Sequence, residues 1–187
     1  MMNTAIKINP LLGLIGTWQG DKGLDLAPKP VEDERNPYYE TLIIEPVDIA
    51  IENAETQELT AVKYFQVVRE KSNDKVSHNE VGYWIWDNNT DTIMCSLSIP
   101  RGLSLVAGGE FTANEAGDVS IEVNAKDGDA EWGIVQSPFL KEKARTLSFK
   151  RTFKVEGNKL TYKQEMELAI YNKSFNHVDS NVLTKVD

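Results

Sequence analysis

His78 and His177 are the only imidazoles in a chain of 187 residues. Imidazole is the side chain best suited to ligate a metal or move a proton near neutral pH. Each histidine falls in a stretch where polar and apolar residues alternate, so its face can be read from neighbours two positions away. His78 shares a face with Glu80, Gly82, Trp84 and Trp86; His177 shares one with Phe175, Asp179 and, where no bulge intervenes, Leu183. From spacing alone the simpler reading of each ring is a hydrogen-bonded or exposed imidazole, with ligation of a metal as the sharper one. Other chemistry is sparse. Cys95, between Ile93 and Leu97 on one face, reads as a small buried hydrophobe. A single cysteine permits neither an intrachain disulfide nor a cysteine-based zinc site. Glu165 and Glu167 share a face with Thr161 and Lys163 and read as a solvated strand face. The run Gly102-Leu103-Ser104-Leu105-Val106 lacks the second glycine of a nucleophile elbow, which makes Ser104 a sheet residue. No glycine-rich phosphate loop precedes a helix.

The elements that must position these residues are almost all strands. Gly16-Thr17-Trp18-Gln19-Gly20 opens the first, Trp18 to Lys22, with a ring that can plug one end of a barrel and glycines that let the chain bend beside it. A short helical turn is expected within Ile8 to Ile15, where Pro10 suits a helix start. Gly23 to Pro37, with Pro28, Pro30 and Pro37, reads as one long loop. Period-two alternation then predicts strands over Tyr38 to Pro46, Leu59 to Arg69, Val76 to Trp86, Thr92 to Ile99, Leu103 to Thr112, Val119 to Lys126 and Glu131 to Gln136. Gly108-Gly109 marks a bulge or a bend. The clearest hairpin joins Thr146–Val155 to Lys159–Ala169 through Glu156-Gly157-Asn158, with Leu147, Phe149, Arg151 and Phe153 on one face. Ser174 to Val186 closes the chain. About eight to ten strands with short turns and no long amphipathic helix predict an all-β fold: a single antiparallel up-and-down β-barrel of calycin type spanning residues 1–187, with a sandwich as runner-up.

Composition narrows the partners. Hydrophobic content of 41% and charged content of 26% are those of a globular domain, and a net charge of −9 lacks the basic stripe that nucleic acid or an anionic membrane surface needs. No apolar run approaches the ~20 residues of a membrane span. The opening Met1 to Lys7 has no apolar leader, so a cytoplasmic location is expected.

Several segments together resemble the nitrobindins, haem-binding β-barrels related in architecture to fatty-acid-binding proteins and lipocalins. These are Leu14-Ile15-Gly16-Thr17-Trp18-Gln19-Gly20, His78-Asn79-Glu80-Val81-Gly82-Tyr83, Arg151-Thr152-Phe153, Leu160-Thr161-Tyr162 through Met166, and His177 before Leu183-Thr184-Lys185. The resemblance runs over nearly the whole chain and implies haem b as cofactor. His177 matches the residue that ligates the ferric iron, His78 a histidine near the haem on the other side, and Met166 an apolar methionine beside the macrocycle. Gly16, Trp18 and Gly20 match the barrel-opening segment. The family is credited with reacting with nitric oxide or isomerising peroxynitrite. Two departures stand out. The family's glycine-alternating opening runs into a proline-threonine turn, whereas here Gly20-Asp21-Lys22-Gly23 is followed by a long loop, Leu24 to Pro37, and Leu183 and Lys185 lie one residue further from His177 than in the family. Either a bulge absorbs that residue or Val182 and Thr184 take those places, and an extra strand residue reverses the faces.

Three functions follow: a haem protein ligated by His177; a carrier or sensor of a non-haem apolar or amphipathic molecule, with Arg35, Tyr38 and Tyr39 gating access; or a barrel filled by its own side chains. The expected partner is haem or a small apolar ligand, and pairing with a second copy is left open.

Overall fold

The computed structural model describes residues 7–48 and 57–187. Met1 to Ile6, which bear on the leader reading, lie outside the described residues. Eleven strands follow one 3₁₀ turn, Leu12–Leu14: β1 Gly16–Ala27, β2 Glu34–Pro46, β3 Leu59–Glu70, β4 Val76–Asp87, β5 Thr92–Ile99, β6 Leu103–Ala113, β7 Val119–Lys126, β8 Ile134–Gln136, β9 Ala144–Glu156, β10 Lys159–Ile170 and β11 Lys173–Lys185. A helix α1, Pro138–Lys143, precedes β9. Ten strands pair with their neighbours in a ring, β1-β2-β3-β4-β5-β6-β7-β9-β10-β11 and back to β1, and β8 adds a short ladder along β6. Closure leaves no long edge open and turns every second side chain inward. No helix among the described residues is long and apolar enough to cross a membrane.

The inward side chains form three tiers. Leu11, Leu14, Trp18, Leu42, Trp84, Leu160 and Leu183 fill one end. Trp18 is fully buried there, and its Nε1 donates to the Leu14 carbonyl at 2.8 Å, so the 3₁₀ turn and the ring seal that end together. Gly20 must be glycine, since a Cβ would lie 2.5 Å from Leu183 Cδ2 and 2.7 Å from the Val182 carbonyl. The middle tier is polar: Glu40, Tyr64, Gln66, Glu80, Arg151, Tyr162, Gln164 and Asn181. The third tier is open space.

Three expectations need correction. Gly23 to Pro37 is not one long loop: β1 continues to Ala27 and β2 begins at Glu34, so only residues 28–33 connect them. Pro37 is tolerated because its carbonyl accepts from Lys71 N on the β3 side, past the last pair Tyr38↔Glu70; its missing N–H would point the same way, where no ladder continues. Leu147 does not share the face of Phe149. A register shift between Glu167 and Leu168 on β10 leaves Leu147 without an opposite partner, and Thr146 turns inward in its place. Helix α1 is an addition, signalled by Ser137, whose side chain accepts from Leu140 N at its start, and by Pro138 in its first turn.

Candidate functional site

A cavity of about 390 Å³ occupies the third tier, within the ~300–1,000 Å³ usual for small-ligand sites. His78, His177, Asp25, Asp179, Met166 and Arg101 all line it. Its apolar wall comes from Val68, Ile99, Leu103, Leu140, Leu168 and Ile170. A shallower depression of about 720 Å³ on the outer wall is lined largely by outward residues such as Phe65, Val81, Tyr83 and Val106, so it is separate from the internal site.

His177 points inward because β10 and β11 pair without interruption from Lys159↔Thr184 to Ile170↔Lys173. Leu183 and His177 thus share a face, and the extra residue between them creates no bulge in β11. Met166 sits directly across from His177. The irregularity lies in β1 instead. Its pairing shifts by one residue between Gly20 and Gly23 against β2, and between Gln19 and Leu24 against β11. The shift reverses which residues face inward, so that Trp18 and Asp25, seven positions apart, both do.

Asp25 meets His177 across the ladder: its Oδ1 lies 2.7 Å from His177 Nε2, and Asp179 Oδ2 lies 3.7 Å from the same nitrogen. Three metal-ligating groups therefore converge, each partly exposed. Burial acts to lower the His177 pKa, but the hydrogen bond the ring donates to Asp25 and the charges of both aspartates raise it above its ordinary value. Burial pushes Asp179 up to about 6, with Asp25 adding to the rise and His177 opposing it. Asp25 itself is lowered: burial opposes its charge, and the His177 bond and charge outweigh that.

The polar tier forms the floor. Arg151 donates to Glu80 at 2.8 and 3.1 Å, to Tyr64 Oη at 3.0 Å, and to Gln164 Oε1. His78 Nε2 lies 3.3 Å from Glu80 Oε2, which ties the second histidine to this network. Glu40 differs, since it accepts only from neutral donors: Gln66 at 2.7 Å, Tyr162 at 2.8 Å and Asn181 at 2.8 Å. Burial raises its pKa despite these bonds. A raised carboxyl favours the fold below its ordinary pKa of 4.5 and loses that contribution as pH rises through the folded value. Glu40→Gln is therefore expected to raise the melting temperature by a few degrees at pH 8 and to leave it unchanged near pH 4, as scanning calorimetry would show. An unchanged or lower melting temperature at pH 8 would contradict the assignment.

The sequence-predicted residues divide in two. His177, His78 and Met166 line the cavity together. Gly16, Trp18 and Gly20 lie at the sealed end, and none lines it. Tyr38 is buried and donates to, or accepts from, Tyr162 Oη at 2.8 Å in the floor; Arg35 and Tyr39 are exposed outside the cavity lining. Asp25, Leu140 and Arg101 are cavity residues that sequence reasoning missed. The Ser-Pro helix start could have signalled Leu140. Asp25 carries no local signal, because the bulge alone decides its face.

The family model for the THAP4-like, heme-binding beta-barrel domain matches residues 7–185. No curated protein matches the chain. Among solved structures, the crystal structure of Rv2717c from M. tuberculosis is similar, at 18% identity and a TM-score of 0.72, covering 96% of this chain and 99% of that one. That likeness concerns the fold. With a closed ten-stranded barrel, an internal cavity and a family match over almost all its length, the chain belongs to the THAP4-like, heme-binding beta-barrel domain family.

Proposed function

We propose that this barrel binds ferric haem b in its internal cavity, with His177 as the axial ligand and His78 and Met166 against the macrocycle. The observation that carries the reading is His177 itself: an imidazole directed into a largely apolar cavity, facing Met166 on the adjacent strand. The donor set fits haem iron, for which a histidine nitrogen is an ordinary ligand. Bound haem would supply an iron centre at which nitric oxide or peroxynitrite can react. The chain's own contribution is to hold and to exclude. Leu140 and Leu168 keep water from the apolar wall, and Glu80 fixes His78 in place. Asp25 holds His177 Nε2, so ligation through that nitrogen and the Asp25 bond exclude one another. Titration of hemin into the protein is expected to give a saturable Soret shift that His177→Ala abolishes. No shift, or an equal shift in the variant, overturns the reading.

The Asp25–His177 bond favours a second reading, a carrier of a non-haem apolar molecule in the same cavity, because it leaves the imidazole already engaged. In that case an apolar fluorescent probe is bound and displaced with equal affinity in wild type and His177→Ala.

A further inference from the structure

We propose that Arg101, on the turn between β5 and β6, receives the carboxylate of an amphipathic ligand whose apolar body fills the cavity. Under the haem reading, on which this rests, that carboxylate is a propionate. Arg101 lines the cavity and is exposed at its rim, on a turn fixed from both sides. Its own N–H donates to the Ile99 carbonyl at 2.7 Å, and Ser137 N donates to the Gly102 carbonyl at 2.8 Å. The side chain thus projects from an anchored backbone.

No carboxylate among the described residues lies within ion-pair distance of Arg101. The other cation on the lining, Lys29, is already held by Glu34 at 2.9 Å. Of the other ionisable groups on the lining, His78 is engaged by Glu80 at 3.3 Å and His177 by Asp25 at 2.7 Å, and the carboxylates of Asp25 and Asp179 repel an anion. An anionic ligand group therefore has one favourable place, next to Arg101 and away from the aspartates. Arg101 and His177 line the same cavity. Ile99 and Leu103 flank the turn on the apolar wall, so a ligand seated there meets a cation and an apolar surface together. A guanidinium grips a carboxylate with two parallel hydrogen bonds, which lysine cannot reproduce.

The test is titration of the full chain with hemin and with hemin dimethyl ester, which lacks both anionic charges, in wild type, Arg101→Ala and Arg101→Lys. Wild type is expected to prefer hemin by about tenfold to hundredfold, the range for one charge-assisted contact. Arg101→Ala should lose that preference and Arg101→Lys should keep part of it, with all three melting alike because the side chain is exposed. If wild type binds hemin and its ester equally, or Arg101→Ala still discriminates, this proposal fails while the haem reading stands. If wild type takes up neither, the haem reading fails. Displacement of an apolar probe by palmitic acid and by its methyl ester then decides: an acid preference that needs Arg101 supports the carboxylate site, and its absence overturns it.

Discussion

Glu80→Gln is expected to destabilise the barrel by about 3–5 kcal/mol at pH 7, the cost of leaving a buried charge without its partner. Arg151 is 2% exposed and Glu80 fully buried. Glutamine keeps the volume but strands the guanidinium among the rings of Phe149, Phe153 and Tyr64, whose centroids lie 5.2, 5.9 and 6.0 Å from it. Those rings attract a cation but do not replace a carboxylate. The pH dependence has a definite sign. Burial drives the Glu80 carboxyl up, yet the Arg151 charge, with the His78 and Arg151 hydrogen bonds, holds it down at about 2 against an ordinary 4.5. Its contribution is therefore complete above about pH 4.5 and lost as pH falls toward 2. Urea unfolding should show wild type weakening across that window and Glu80→Gln weak throughout. Arg151→Met added to Glu80→Gln should recover most of the loss, because no uncompensated charge then remains. Equal midpoints for wild type and Glu80→Gln would refute the account.

Trp18→Ala is expected to cost a further large amount, about 3–5 kcal/mol. The indole is fully buried, bonded to the Leu14 carbonyl at 2.8 Å, and covered by Lys185, whose Nζ stands 5.6 Å from the ring centroid. Removing it opens a void at the sealed end and frees the 3₁₀ turn. Trp18→Phe separates these effects: it fills most of the void and loses mainly the hydrogen bond, so its cost should be closer to about 1 kcal/mol. Chemical denaturation with an unchanged slope would assign both losses to the native state. A Trp18→Ala midpoint within error of wild type would show that the ring does not seal the barrel.

Most of the barrel was legible because its strands alternate cleanly. β5 and β7 run over the very residues that the pattern predicts, and Ile93, Cys95 and Leu97 form the buried face expected of them. His78 and His177 are legible as candidates from residue type, and Met166 only through the family resemblance; the three share one cavity. What was hidden lies where counting fails. Prolines at 28, 30 and 37 point to a loop, but only the first two are in one, since Pro37 lies past the end of the β2–β3 ladder, where its missing N–H has no strand partner to lose. Strict alternation places Leu147 beside Phe149 because a bulge is invisible to it. Asp25 was hidden for both reasons at once: it was read as loop, and its facing depends on one unpaired residue upstream. The floor network escaped notice because Glu40, Gln66, Gln164 and Asn181 are polar residues on inward positions, where alternation expects apolar ones. Their hydrogen bonds to one another and to Tyr162 and Arg151 are what make that burial tolerable.

The extra residue in β1 makes this part of the cavity wall depend on strand register as well as on side-chain identity. Most changes to a pocket wall require one codon per side chain. Here the facing of Gly23 to Ala27 is set by a count: deleting one residue at Asp21 or Lys22 would keep Gly23 opposite Tyr38 and Asp25 opposite Asn36, whereas pairing β1 with all its residues and no bulge would slip the segment by one and reverse it. In that slipped register Leu24 and Leu26 would face the cavity in place of Asp25 and Ala27, with no change in sequence. An acid-bearing wall and a greasy one are one register step apart in this barrel, and the bulge is what keeps Asp25 beside His177.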